Sequence, residues 1–381
     1  MSSVIVVCQS IKCLDIILKE DWVTVNVLNH ELFVALNRMR VLWLSGRVLD
    51  EDLCQTTQIS LANGLARLGH DVTLACPGIC PNGNKFKHLM LKRTKIKGFQ
   101  SRSVANSVKK IVPDSDIIMV DWRLAPFLSS WLKKTKLPWY LVDRGPPADS
   151  GLLAKLQWRY WKKAWRMSKR GMAVSQEHKK YIKQINHISA EIDILRAGVN
   201  SSKFKSPISC NDTPRFVYLG KVDLNRGLVD LPQQVIDAGG ELMVIGKGTA
   251  LASMKLKWAH EERIVFLNSV DSEQVPYLLS KCDVGLLPMP NLEIWRTASP
   301  LKLAEYAAAG LLVAGVDHPG NNVPFDTDWL FLDDGITQAI ESAAGCYSDL
   351  KLRACARNDA IEKMDWSVGV SILEKGLESL T

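Results

Sequence analysis

From Met39 onward, short apolar runs alternate with amphipathic stretches of helical length, and this alternation restricts the fold more than any other feature of the 381-residue chain. Val41–Leu44 reads as a buried strand. Gln55–Leu68 reads as a helix with Ile59, Ala62, Leu65, Ala66 and Leu68 at helical spacing. Gly69 stops that helix, His70 falls on the surface, and Val72–Ala75 is the next strand. The same rhythm predicts helices over Ser101–Val112, Ala125–Lys134, Gly151–Ser168 and Glu177–Ile185. Strands fall between and after them at Ile117–Val120, Trp139–Val142, Met172–Val174 and Ile192–Leu195. A polar segment without apolar period, residues 199–214, reads as a linker. Beyond it the rhythm resumes, with strands Phe216–Leu219, Leu242–Ile245, Val265–Leu267 and Asp283–Leu287. Their helices are Leu228–Ala238, Ala250–Trp258 and Ser272–Lys281, and further helices lie near Ile336–Ala344, Leu350–Lys363 and Trp366–Leu380. Strands that alternate with helices lie parallel, and right-handed crossovers cover both faces of the sheet. The length suits two cores rather than one. The expected fold is therefore α/β, with two Rossmann-like, doubly wound domains over residues 39–198 and 215–365. Residues 1–38 fit no part of this pattern; they stand either as an extension outside the fold or as an extra edge strand.

Within the second unit, Ser299–Val316 is a helix marked at both ends and followed by a buried strand. Ser299 suits the N-cap, Pro300 the first helical position and Gly310 the C-terminal stop. The body is mostly apolar, so the helix is expected to be buried. Two charges, Lys302 and Glu305, sit in it, and a buried charge is costly unless paired. The helix follows an irregular run, Pro288–Ala298, so its free amides and positive dipole end face whatever that loop encloses.

Other loops at strand ends carry chemistry of the same sign. Gly220-Lys221-Val222-Asp223-Leu224-Asn225-Arg226-Gly227 follows the first strand of the second unit and sets two cations at the carboxyl edge of a parallel sheet, where such folds bind ligands. A Lys point charge and a forked Arg donor together suit a diphosphate; two solvated surface cations are the alternative. Gly246-Lys247-Gly248 lacks the third Gly of a dinucleotide fingerprint and does not open the first strand–helix unit, which excludes a nicotinamide site. Asp50-x-Asp52, Asp114-x-Asp116 and Asp326-x-Asp328 each match the Asp-x-Asp pattern of metal-dependent transferases, and three matches in one chain carry little weight; no essential metal is expected. Asp143, after the strand Trp139–Val142, fits either of two roles: orienting or deprotonating an acceptor hydroxyl, or forming a turn.

The formal charge of +8 and pI near 8.9 favour anionic partners. Nucleic acid is not expected among them, because no recognition motif accompanies the basic residues. Nine scattered Cys, without a metal-site spacing, read as reduced thiols of a cytoplasmic protein. No apolar run approaches the length of a spanning helix, and no secretory signal pattern opens the chain. Trp158, Trp161 and Trp165 share one helical face beside a run of cations from Arg159 to Arg170. Such a helix suits an anionic membrane surface, or else the Trp stripe is simply its core face.

The run Ser-Pro-Leu-Lys-Leu-x-Glu-Tyr-x-Ala-x-Gly at 299–310 resembles the donor-site signature of family-4 glycosyltransferases of GT-B fold. The resemblance spans most of residues 39–381, and is strong in the second domain and diffuse in the first. It implies transfer of a sugar from a nucleotide-diphosphate donor to an acceptor hydroxyl (glycan, lipid-linked or polysaccharide precursor), with retained anomeric configuration and no cofactor. It implies that Glu305, the second Glu of the family's Glu-x7-Glu motif, holds the ribose, and that the helix start at Ser299, Pro300, Leu301 and Lys302 faces the diphosphate. Lys221 and Arg226 stand where the family has an Arg and then a Lys for the donor phosphates, each exchanged for the other cation. Gly46, Gly220, Gly246 and Asn268 complete the implied donor set, and the closing helix 366–381 returns to the first domain. The family's first Glu falls at Thr297 here. A non-catalytic scaffold of the same fold, or a nucleotide-sugar epimerase, stays open beside the transferase.

Overall fold

The computed structural model describes residues 38–49, 55–147, 152–205 and 209–381. The N-terminal extension, apart from Arg38, and the Asp50-x-Asp52 pair lie outside the described residues.

The first unit runs β1 (Arg40–Leu44), α1 (Gln55–Arg67), β2 (Asp71–Cys76), β3 (Lys87–Met90), α2 (Gln100–Val108), β4 (Ile117–Asp121), α3 (Ala125–Thr135), β5 (Trp139–Val142), α4 (Leu152–Met167), β6 (Arg170–Ala173), α5 (Gln176–Asn186) and β7 (Glu191–Ile194). Its seven strands form one sheet in the order β3-β2-β1-β4-β5-β6-β7, every neighbouring pair parallel. The second runs β8 (Arg215–Leu219), α6 (Leu231–Asp237), β9 (Glu241–Ile245), α7 (Leu251–Lys257), β10 (Ile264–Leu267), α8 (Val275–Leu279), β11 (Val284–Leu287), α9 (Glu293–Arg296), α10 (Leu301–Ala308), β12 (Leu312–Val316), β13 (Leu330–Asp333), α11 (Ile336–Cys346) and α12 (Leu350–Lys363). Its sheet is ordered β10-β9-β8-β11-β12-β13, again all parallel. Both sheets are doubly wound, because the central strands β1 and β8 each begin a run that proceeds outward in both directions. The inner strands β4, β11 and β12 are continuous apolar runs buried on both faces, as helix-covered parallel strands must be, while the edge strands β3, β7 and β13 are partly exposed.

The last helix, α13 (Trp366–Glu378), packs on α1 of the first unit. Trp366, Val370, Leu373 and Leu377 join Leu61, Ala62 and Leu65 in one buried cluster. Gly64 permits the close crossing: a Cβ there would sit 2.2 Å from Val370 Cγ2. His70, expected on the surface, is buried beneath this helix. Its Nδ1 accepts from Met39 N–H (3.2 Å), so Nε2 carries the proton directed at Glu374 Oε1 (2.9 Å).

Candidate active site

A cavity of about 810 Å³ separates the two sheets. Its C-terminal wall is made by three loops at the carboxyl edge of the second sheet: Gly220-Lys221, Gly246-Lys247, and the start of α10 at Leu301, Lys302 and Glu305. The first two loops are stitched together by main-chain bonds. Val222 N–H donates to Lys247 O at 3.0 Å, and Ala250 N–H to Val222 O at 2.9 Å. Only a glycine serves at 246, where φ is +155° and a Cβ would lie 1.8 Å from Gly220 O. The opposite wall comes from α1 and α13, including Asn63, Arg67 and Glu374, with the linker residues Asn200 and Lys203. These wall residues were not singled out in the sequence, since they lie on helix faces whose neighbours only the tertiary fold supplies.

Helix α10 places its charges as the sequence requires. Lys302 Nζ donates to Glu305 Oε2 at 2.6 Å, so neither partly buried charge stands alone. Tyr306, one residue on, is fully buried, and its hydroxyl accepts Leu219 N–H at 2.9 Å, pinning α10 to β8 beside the Gly220 loop. Burial drives the Tyr306 hydroxyl well above its ordinary pKa, so it stays neutral.

Two details of the helix start differ from the sequence reading. Pro300, not Ser299, occupies the N-cap, and no side chain caps the helix. The Ser299 hydroxyl instead accepts Ala197 N–H at 3.0 Å, across from the first domain. With no side chain over them, the leading amides of α10 keep their dipole end open.

Lys221 is exposed at the cavity, while Arg226 is half-buried and outside its lining. Asp223, between them, is occupied by the amide and hydroxyl of Thr249 at 3.0 and 3.2 Å. Asn268 is exposed and off the lining, accepting from Lys255 Nζ at 3.2 Å; its neighbour Ser269 lines the cavity instead. Gly46 also lies off the lining.

Asp143 takes neither an open catalytic position nor a simple turn role. It is fully buried, and its Oδ2 accepts the indole N–H groups of Trp161 (2.6 Å) and Trp165 (2.7 Å), while Oδ1 accepts Gly145 N–H (3.0 Å). His178, also fully buried, stands 3.5 Å from Oδ2. An acceptor hydroxyl has no approach to a carboxylate filled from within. The same bonds turn Trp161 and Trp165 inward as the core face of α4, with Trp158, the third residue of the stripe, half-buried against Trp161 and Tyr181. The exposed side of α4 carries Lys155, Arg159, Lys163 and Arg166.

Asp114 and Asp116 both pair with Arg40 at the amino edge of the first sheet, far from the carboxyl edge where ligands bind. Among the described residues, no three His, Cys, Asp or Glu side chains come together as a metal site. The six described cysteines are free thiols, and burial lifts those of Cys76 and Cys282 to about 12. No described helix is long and apolar enough to cross a membrane.

Comparison with known proteins agrees with this geometry. Residues 55–203 match the model of Glycosyltransferase Family 4, and residues 213–345 that of Glycosyl transferases group 1. A search of the curated proteins finds no match. Among solved structures, sucrose-phosphate synthase from Thermosynechococcus elongatus aligns over 90% of this chain and 99% of its own, at 14% identity and a TM-score of 0.73. HepE from Anabaena, in complex with UDP-glucose, covers 90% and 99% at 13% identity and 0.67. WaaG, a glycosyltransferase involved in lipopolysaccharide biosynthesis, covers 90% and 99% at 15% identity and 0.60. At such identities the likeness establishes the GT-B fold, while the two matched models together take in six of the seven strands of the first sheet, all of the second, and the three loops of the cavity's C-terminal wall; the chain belongs to the family-4 glycosyltransferases, enzymes that draw a sugar from a nucleotide-sugar donor.

Proposed function

We propose that the chain transfers a sugar, with retention, from a nucleoside-diphosphate sugar held in the interdomain cavity to a hydroxyl of a glycan or lipid-linked acceptor. The observation that carries this reading is the convergence of Gly220-Lys221, Gly246-Lys247 and Leu301-Lys302-Glu305 on one cavity between two doubly wound sheets. Negative charge grows on the departing diphosphate as the glycosidic bond breaks. Lys221 and the uncapped amides of α10 at the cavity, with Arg226 just behind its lining, oppose that charge, and preorganised donors of this kind lower a barrier without reorganising during reaction. Glu305, oriented by Lys302, accepts from the ribose hydroxyls. Thr297, where the family signature has an acid, is buried and off the cavity lining, its hydroxyl donating to Glu293 O at 3.3 Å, so no carboxylate stands at that position for the sugar end of the donor. The exposed cations of α4 support a peripheral position on the cytoplasmic face of a membrane, which suits a lipid-linked acceptor.

The test is thermal melting with UDP, GDP, ADP and dTDP. A ligand at a hundred times its Kd stabilises by about 2.7 kcal/mol, a visible shift. One base is expected to shift the melt, and Glu305→Ala to weaken it about tenfold, the worth of a hydrogen bond to a charged group. Lys221→Ala combined with Arg226→Ala is expected to abolish turnover. Unchanged turnover in that double variant would overturn the assignment.

A further inference from the structure

The β8 loop that carries Lys221 and Arg226 meets the segment leading into α10 at Trp295, a residue with no part in the reaction as described. Arg226 ends a single 3-10 turn, Leu224–Arg226, and is followed by Gly227 at φ +71°. A Cβ on Gly227 would lie 2.1 Å from Pro288 O, so this glycine lets the β8 loop close onto the segment that follows β11. That approach sets the Arg226 guanidinium over the indole ring of Trp295, 4.7 Å from its centroid. Trp295 belongs to α9, two residues before Thr297, and packs against the core of the second domain. Its indole nitrogen is withdrawn from solvent and has no hydrogen-bond partner among the described residues, so the ring acts through its face. Arg226 also lies close to Tyr218, whose hydroxyl donates to Lys221 O at 2.6 Å.

We infer that Trp295 is a positioning residue: it clamps the face of the Arg226 guanidinium so that the remaining N–H edge is presented to the diphosphate of the donor. This rests on the reading of Arg226 as a diphosphate ligand. Stacking uses the plane of a guanidinium and hydrogen bonding uses its rim, so both proceed at once. A lysine at 226, as the family places there, has no plane to stack. In this chain the arginine at 226 has an aromatic face at 295 to stack on. In the nucleotide-bound enzyme the clamp acts on the terminal phosphates and leaves base and ribose alone.

The experiment is calorimetric titration of UDP, GDP, ADP and dTDP, each against its own monophosphate, so that the diphosphate-to-monophosphate affinity ratio is read directly. Trp295→Leu is expected to lower that ratio about two- to thirtyfold, the span of cation–π strengths, with monophosphate affinity unchanged. Trp295→Phe keeps a ring face and restores most of the ratio. Arg226→Lys, which leaves the indole untouched, gives the same loss as Trp295→Leu and keeps the inference testable if the leucine variant folds poorly. In an Arg226→Ala background, Trp295→Leu adds nothing. Equal loss of mono- and diphosphate binding, or no loss, in Trp295→Leu overturns the clamp. If Arg226→Ala itself leaves the ratio unchanged, it is the diphosphate role of Arg226 that falls. If no nucleotide binds the wild-type protein, the donor site falls with it.

Discussion

Asp143 turns the first domain's most suggestive acid into a structural one. Its carboxylate takes three N–H donors in a site closed to water, two of them from indoles one helical turn apart. Asp143→Ala strands all three, and a buried donor without a partner costs about 1–3 kcal/mol. The expected loss is about 3 kcal/mol or more, seen as a lower urea midpoint, with turnover of the folded fraction within about twofold. Loss of turnover at unchanged stability would return Asp143 to the reaction. Glu305 and Lys302 stood out in the sequence because a charge on an apolar helix demands an explanation, and their partnership is local, three residues apart. The Trp stripe was visible at the same level, but its direction was not. Which way it faces is decided by an acid 18 and 22 residues upstream, on a different element.

Elements with strong local signals were legible, and those shaped by their neighbours were not. The central strands β1, β4, β8 and β11 are short apolar runs between turn residues and stand near their expected bounds. The edge strand β3, Lys-His-Leu-Met, lacks such a run and was not foreseen; the edge strand β13 has one, Leu330-Phe331-Leu332, and was missed all the same. Helix α6 begins at Leu231 rather than Leu228, because Pro232 favours the first turn and the preceding residues hold the tight Gly227 turn. The start of α13 was marked by Asp365-Trp366-Ser367, and there the cap is real. Asp365 accepts the Ser367 N–H and hydroxyl, and also both from Ser201 in the linker, at 2.7 to 3.1 Å. Burial pushes the Asp365 carboxyl upward, but those four bonds together outweigh it and hold its pKa below the ordinary value. A carboxylate with a lowered folded pKa contributes stability that is present above its unfolded value, about pH 3.9, and is lost as pH falls through the folded one. Asp365→Ala is therefore expected to cost about 1–2 kcal/mol at neutral pH. That difference narrows below about pH 4, as compared by urea unfolding of the two proteins at both pH values. A gap that stays constant with pH would mean that the cap contributes through packing alone.

Across the whole molecule, the two sheets are joined by a few specific bonds rather than by a broad apolar face. The Ser175 hydroxyl donates to Thr297 O at 3.0 Å, Ser299 accepts from Ala197, and Arg196 donates to Asn322 O. A junction of this kind leaves the outer faces of each domain free for other work, and the outer face of α4 is the most strongly charged helix surface described above. Lys155, Arg159, Lys163 and Arg166 follow at intervals of four, four and three, so they share one side of the helix and all are exposed. Trp161 and Trp165 are turned into the core, and Trp158 is half-buried against Trp161 and Tyr181, so these cations dominate the outer face. Attachment to an anionic bilayer must then be electrostatic, about 1 kcal/mol for each cation near the surface, and screened by salt as an inserted aromatic would not be. Vesicles containing phosphatidylserine are expected to sediment the protein at low ionic strength and to release it at about 0.5 M salt, where the screening length falls to a few ångströms. Replacing the four cations with Glu should abolish sedimentation at low salt while nucleotide-induced melting shifts persist, because none of the four lines the cavity. Sedimentation that survives both the charge reversal and high salt would place the lipid-binding surface elsewhere on the molecule.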